Sequence, residues 1–135
     1  MCEADPQTFG LDLNHLENLL QQHNPSTVLL VQVLGVPHKM EAVLRLKEKY
    51  GFVLLEDACA AIGAKYRGTK VGAFGDMASF SFYFGHQMST IEGGMVSTND
   101  PELADLCRSI KSHGRLEGQQ YFQFDRVGYN SKMND

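Results

Sequence analysis

Two short, nearly uninterrupted apolar runs constrain the fold of this chain most. Residues 27–33 (Thr-Val-Leu-Leu-Val-Gln-Val) follow Pro25 and are rich in β-branched residues and leucine, and residues 52–55 (Phe-Val-Leu-Leu) repeat the pattern. Such runs are the signature of strands buried on both faces. A segment of helical period precedes each one. Residues 12–23 place Leu13, Leu16, Leu19 and Leu20 on one face, with Asp12 at the capping position. Residues 38–50 do the same through Met40, Val43, Leu44 and Leu46, and Gly51 supplies a stop. Alternating buried strands and amphipathic helices predict right-handed βαβ units, hence an α/β fold in which flanking helices cover a mostly parallel sheet.

The second half changes character. Glycines thicken from Gly63 to Gly94, and residues 77–83 and 95–98 are short strand candidates between them. Asp100-Pro101 then opens a helix with cap and first-turn proline in their preferred order. Leu103, Leu106, Cys107 and Ile110 form its expected inner face, and Gly114 ends it. A sheet of four or five strands with helices over one face only would leave apolar surface bare. The chain therefore reads as part of a larger domain.

Several function classes fall away on composition. A net charge of -4, with no run of Lys or Arg, gives no footprint for nucleic acid. The longest apolar stretch, 28–34, is interrupted by Gln32 and is far too short to span a membrane. Cys2, Cys59 and Cys107 are odd in number and widely spaced, which predicts reduced thiols in a cytoplasmic protein. The five histidines show no ligand spacing, so no metal site is expected.

The chemistry concentrates between residues 57 and 94. Asp57 ends the second apolar run, at the edge where open α/β sheets bind ligands. An acid there can accept a charge-assisted hydrogen bond from a protonated pyridine nitrogen; alternatively, it caps a helix over 58–62. Ser81 lies on the next candidate strand, its hydroxyl able to reach a phosphate oxygen. His86 follows Phe84-Gly85 on a turn just past that strand, and residues 89–94 form a small glycine-containing turn able to bring backbone donors near an anion. Gly63-Ala-Lys-Tyr-Arg-Gly68 has the spacing of a nucleotide-binding loop but continues Thr69-Lys70, the wrong order, and Gly72 and Gly75 make no dinucleotide fingerprint.

Taken in order, these motifs resemble the middle third of the DegT/StrS-type nucleotide-sugar aminotransferases, pyridoxal-phosphate enzymes of the aspartate-aminotransferase fold. The resemblance runs through Asp5-Pro-Gln-Thr-Phe-Gly-Leu-Asp12, Glu56-Asp-Ala-Cys-Ala-Ala-Ile-Gly-Ala64 and Val71-Gly-Ala-Phe-Gly-Asp76. It continues through Ser79-Phe-Ser-Phe-Tyr83, Glu92-Gly-Gly94, Ser112-His-Gly114 and Gly128-Tyr-Asn130. It implies that residues 1–135 are part of a cofactor-binding large domain, a three-layer α/β structure, without its N-terminal part or the C-terminal small domain. It also implies Asp57 beneath the pyridine nitrogen, Ser81 on the cofactor phosphate, and a homodimer in which Asn130 reaches the phosphate of the neighbouring subunit's cofactor.

Two positions depart from the family pattern. Ala60 stands where the family often has Gln or His near the cofactor. His86 stands at the position of the lysine that bonds covalently to pyridoxal phosphate, and imidazole cannot form that bond. One branch of the family carries histidine there: dehydratases that use pyridoxamine phosphate to remove the 3-hydroxyl of a 4-keto-6-deoxy sugar nucleotide. In that branch histidine is base at the neighbouring carbon and acid for the departing hydroxyl. The resemblance thus implies a nucleotide-sugar 3-dehydratase with His86 as acid/base. A family member that transaminates, or a non-catalytic scaffold retaining only fold and dimer surface, are the alternatives.

Overall fold

The computed structural model describes residues 1–118, 120 and 122–131. They form two compact units, Met1–Ser97 and Thr98–Asp135. The first contains α1 (Leu13–His23), β1 (Thr27–Val31), a 3-10 turn (Val33–Gly35), α2 (Met40–Tyr50) and β2 (Val53–Asp57). A two-stranded ribbon, β3 (Lys65–Tyr66) and β4 (Thr69–Lys70), follows, then β5 (Met77–Ser81) and β6 (Gly94–Ser97).

Local signals account for the helices. The Asp12 carboxylate accepts from the N–H groups of Asn14 and His15, satisfying donors that the first turn of α1 leaves without partners. α2 ends at Gly51, whose φ of 73° closes the helix through an N–H bond to Lys47 O. The segment predicted from residue 38 becomes helical only at Met40, because His38 is engaged elsewhere (below).

The main sheet has the order β1-β2-β5-β6, with β1, β2 and β5 parallel and β6 antiparallel to β5. This is the expected mostly parallel α/β arrangement. α1 and α2 cover one face of it: Leu16, Leu20, Met40, Val43, Phe52, Leu30 and Leu54 pack into one buried cluster. Each such side chain contributes roughly 1.5–3 kcal/mol on burial.

The expectation that β1 and β2 are buried on both faces is not met. Leu30 is fully buried, while its neighbours Leu29 and Val31 are 61% and 46% exposed, and Val53 of β2 is 44% exposed. Strand side chains alternate between faces, and both helices of this unit lie on the Leu30 side, so the Leu29 side stays open. The sequence reading also missed the β3–β4 ribbon. Its two-residue turn, Arg67-Gly68, has positive φ at both positions, the geometry that matches strand twist in a tight hairpin. A second small cluster (Ala58, Ala61, Val71, with Phe80 against it) anchors this connection.

In the second unit α3 (Pro101–Lys111) is capped by Asp100, which accepts from Glu102 and Leu103 N–H. Its one buried residue is Ser109, whereas Leu106, expected on the inner face, is exposed. Residues 126–131 lie at the C-terminal end of this helix. They run against the end of α3, with Tyr129 N–H donating to Ile110 O at 2.6 Å and Ser131 N–H to Lys111 O at 2.9 Å. No helix among the described residues is long and apolar enough to cross a membrane, and none of their His, Cys, Asp or Glu side chains cluster in threes to hold a metal ion.

Candidate active site

Register places the predicted acid and hydroxyl on one face at one edge. Val31, Asp57 and Ser79 align as partners across β1, β2 and β5, and Ser81 lies two residues farther along β5. Because side chains two apart share a face, Asp57, Ser79 and Ser81 all belong to the open face, at the C-terminal ends of parallel strands. Asp57 is half-buried and its Oδ1 accepts from Cys59 N–H at 3.0 Å. That bond closes a turn, and no helix follows: Ala61 N–H bonds to Ala58 O and Ala64 N–H to Ala61 O as successive turns. Helix capping over 58–62 is thereby ruled out for Asp57. Among the described residues no Lys or Arg pairs with its carboxylate. Ser81 Oγ accepts from Tyr83 N–H at 3.2 Å, which leaves the hydroxyl proton for another acceptor.

The adjacent acid, Glu56, was not anticipated. It points to the opposite face, is 1% exposed, and accepts four hydrogen bonds. Gly72 N–H and Gln32 Nε2 donate to Oε2 at 3.0 and 2.9 Å, and Phe74 and Gly75 N–H donate to Oε1 at 2.8 and 2.7 Å. Gln32 Oε1 in turn accepts from His38 N–H at 3.3 Å. The His38 ring accepts from Leu11 N–H at Nδ1 (3.0 Å), so its proton sits on Nε2 and is donated to Val31 O at 2.7 Å. The signal was present in the sequence: Gln32 interrupts an apolar run, and strand alternation puts Glu56 in phase with buried Leu54. A cleft of about 750 Å³ between residues 5–14 and 36–39 borders this network and holds none of the predicted site residues.

His86 lies on a turn after β5, as expected. Its N–H donates to Tyr83 O at 3.0 Å, and its ring stands edge-on to the Tyr83 ring at 6.4 Å. Ala60 offers no polar side chain, but its carbonyl accepts from Gln87 Nε2 at 2.7 Å. The His86 turn is thus tied to the turn that follows Asp57. Residues 89–94 supply fewer donors than predicted. Thr90 N–H is used by Phe82 O, Ile91 N–H by Ser89 Oγ, and the Thr90 hydroxyl by Glu92 O. Asn130 belongs to the second unit, where it bridges to Ser112 and is exposed.

Burial, together with the neighbouring Asp57 carboxylate, pushes the half-buried Cys59 thiol above its ordinary range, so it stays protonated beside that acid. The three cysteines are free.

The description of the DegT/DnrJ/EryC1/StrS aminotransferase family matches residues 1–135. The chain belongs to this family. Among its relatives, GDP-perosamine synthase of Caulobacter vibrioides is 36% identical over all of this chain and 36% of its own length. GDP-4-keto-6-deoxy-D-mannose 3-dehydratase of Yersinia pseudotuberculosis is 34% identical over 83% of this chain and 28% of its own. In structure, the chain resembles an E. coli GDP-4-keto-6-deoxy-D-mannose-3-dehydratase with bound hydrated pyridoxal phosphate. The TM-score is 0.88 at 26% identity, over 97% of this chain and 38% of that one. The DegT-family chain therefore spans about a third of the length of the curated relatives it matches.

Proposed function

We propose that this chain is the central part of the large, cofactor-binding domain of a pyridoxamine-phosphate-dependent enzyme that removes the 3-hydroxyl of a nucleotide-linked 4-keto-6-deoxy sugar. The observation that carries the reading is His86 in place of the family's lysine, on a turn bonded through Gln87 to the segment after Asp57.

The residues at the sheet edge suit such a cofactor. A half-buried carboxylate without a cationic partner calls for a cationic ligand, and a serine hydroxyl with an unspent proton calls for an anionic oxygen. Asp57 would accept the hydrogen bond of the protonated ring nitrogen, and Ser81 would donate to a phosphate oxygen; Ala60 adds only backbone there. The cofactor, when bound, supplies an electron sink conjugated with the substrate carbon. His86 takes a proton from the neighbouring carbon onto an imidazole nitrogen and returns it to the departing hydroxyl, which leaves as water. The imidazole ends as it began; replacing C–OH by C–H beside the ketone is a two-electron reduction, which the amine form of the cofactor would supply in passing to the aldehyde form, its nitrogen leaving as ammonia. Lysine at this position would offer a covalent bond; imidazole offers only the proton.

The same reading includes a cytoplasmic homodimer in which Asn130 reaches the cofactor phosphate of the neighbouring subunit. The intact protein, given pyridoxamine phosphate and a 4-keto-6-deoxy sugar nucleotide without an amino donor, should release the 3-deoxy product and ammonia, each in proportion to the pyridoxamine phosphate consumed. Treatment with pyridoxal phosphate and borohydride should leave no pyridoxyl-lysine in the site. A lysine adduct, or a product that carries the nitrogen on the sugar, would replace dehydration by transamination. His86→Lys should instead trap pyridoxal phosphate covalently and turn the protein yellow.

A further inference from the structure

Residues 84–91 carry His86, yet little holds them. The base of the loop is closed by Phe82 N–H to Gly93 O and Thr90 N–H to Phe82 O, both 2.9 Å, and the other bonds along it are internal. Among the described residues, one hydrogen bond ties 84–91 to anything outside 82–93: Gln87 Nε2 to Ala60 O, 2.7 Å, across 27 positions of sequence. Its far end is well anchored. Ala60 lies inside the turn closed by Ala61 N–H to Ala58 O, and that turn begins at Asp57, whose Oδ1 holds Cys59 N–H.

We propose that Gln87 is a positioning residue, whose carboxamide clamps the His86 turn to the Asp57–Ala60 turn and so sets where the imidazole stands relative to the acid. The proposal rests on the reading of His86 as the acid/base. Magnitude separates this role from a stabilising one. An exposed neutral hydrogen bond shifts an equilibrium by about fivefold, negligible for the unit as a whole but decisive for a loop with no other tether. Proton transfer needs the imidazole within hydrogen-bond reach of the reacting atom, and a small displacement there costs a large factor in rate. The tie also works without a side chain at residue 60, because it uses the backbone carbonyl, so Ala60 keeps a structural part after losing the polar group usual in the family.

The test uses the intact protein and three variants. Gln87→Glu keeps the length but replaces the donor with an acceptor, Gln87→Ala removes the group, and Gln87→His retains a ring N–H of similar reach. Amide hydrogen exchange at His86 and Thr90, whose N–H groups bond to Tyr83 O and Phe82 O, measured without cofactor or sugar, should speed about fivefold in the Glu and Ala variants and return towards wild type in the His variant. Amides of β2 and β5 should not change. With the sugar nucleotide and an amino donor that renews pyridoxamine phosphate, kcat should fall about fivefold or more while KM for the sugar stays within about twofold. Unchanged exchange at His86, or an equal rise in β2 and β5, would overturn the clamp. Faster exchange with unaltered kcat would overturn its role in positioning. A wild-type protein with no dehydratase activity would instead defeat the functional reading, and the exchange arm would still decide whether the clamp exists.

Discussion

Glu56 and Asp57 are consecutive in the chain and face opposite sides of the sheet. Glu56 is sealed beneath it by four hydrogen bonds, and Asp57 stands on the open face in register with Ser79. One strand end thus carries a structural carboxylate and a candidate ligand-binding one, and substitution should separate them.

Glu56→Ala strips the acceptor from three backbone N–H groups and the Gln32 amide. Buried donors left without partners cost about 1–3 kcal/mol each, so a loss of at least about 3 kcal/mol is expected in urea unfolding. A loss below 1 kcal/mol would mean that water replaces the carboxylate and that the network does not hold the 72–75 segment.

Asp57→Asn keeps an oxygen to accept from Cys59 N–H but removes the charge. Stability should stay within about 0.5 kcal/mol. Affinity of the intact protein for pyridoxamine phosphate should fall about 10- to 100-fold, the worth of one charge-assisted hydrogen bond. Equal affinity in a titration followed by absorbance would remove Asp57 from the ring nitrogen.

Leu29 and Leu30 adjoin but should respond differently. Leu30→Ala opens a cavity in the α1–α2–sheet core and should cost about 2–5 kcal/mol. Leu29→Ala, on the open face, should cost well under 1 kcal/mol in the isolated chain. Comparable losses would show that the Leu29 face is covered as well.

Gly51 and Gly114 both have positive φ, 73° and 82°, but different surroundings. An added Cβ meets nothing within 4 Å at Gly51 and collides with the Arg126 carbonyl at Gly114. Gly51→Ala should cost about 1 kcal/mol of backbone strain, and Gly114→Ala clearly more, because a backbone atom has to move. Thermal unfolding of the two variants side by side checks this, and similar shifts would contradict the packing of residues 126–131 on the end of α3.

Acid should weaken the first unit partly through Asp76. Burial pushes its carboxyl up, but Leu54 N–H at 2.8 Å and the Lys47 ammonium at 3.2 Å outweigh that and hold it below the ordinary value of 3.8. A carboxyl depressed on folding adds stability above its unfolded value, and that contribution disappears as pH falls through the folded one. Wild type should therefore lose stability below about pH 4 more steeply than Asp76→Asn in parallel denaturant titrations. Parallel slopes would free Asp76 of that role.

Much of this was legible in the sequence because the signals are local. Asp12, Gly51 and Asp100 act on groups within a few residues of themselves, and the helices begin and end where those residues direct. The βαβ order followed from periodicity, and the motifs around Asp57, Ser81 and His86 carried the family resemblance. The Arg67-Gly68 hairpin was passed over because strands of two residues leave no periodicity to read.

Sequence alone determined the order of the helices and main-sheet strands and the helix caps, since each depends on neighbours within one or two turns of chain. Tertiary structure decided the faces. It set Leu30 inward and Leu29 outward, buried Glu56 under Gly72, Phe74 and Gly75, and joined Gln87 to Ala60. An apolar run looks alike whether one side or both will be covered, and a buried carboxylate or a loop tether acquires meaning only from partners 16 to 27 residues away. Those partners arrive by packing, which no local pattern encodes.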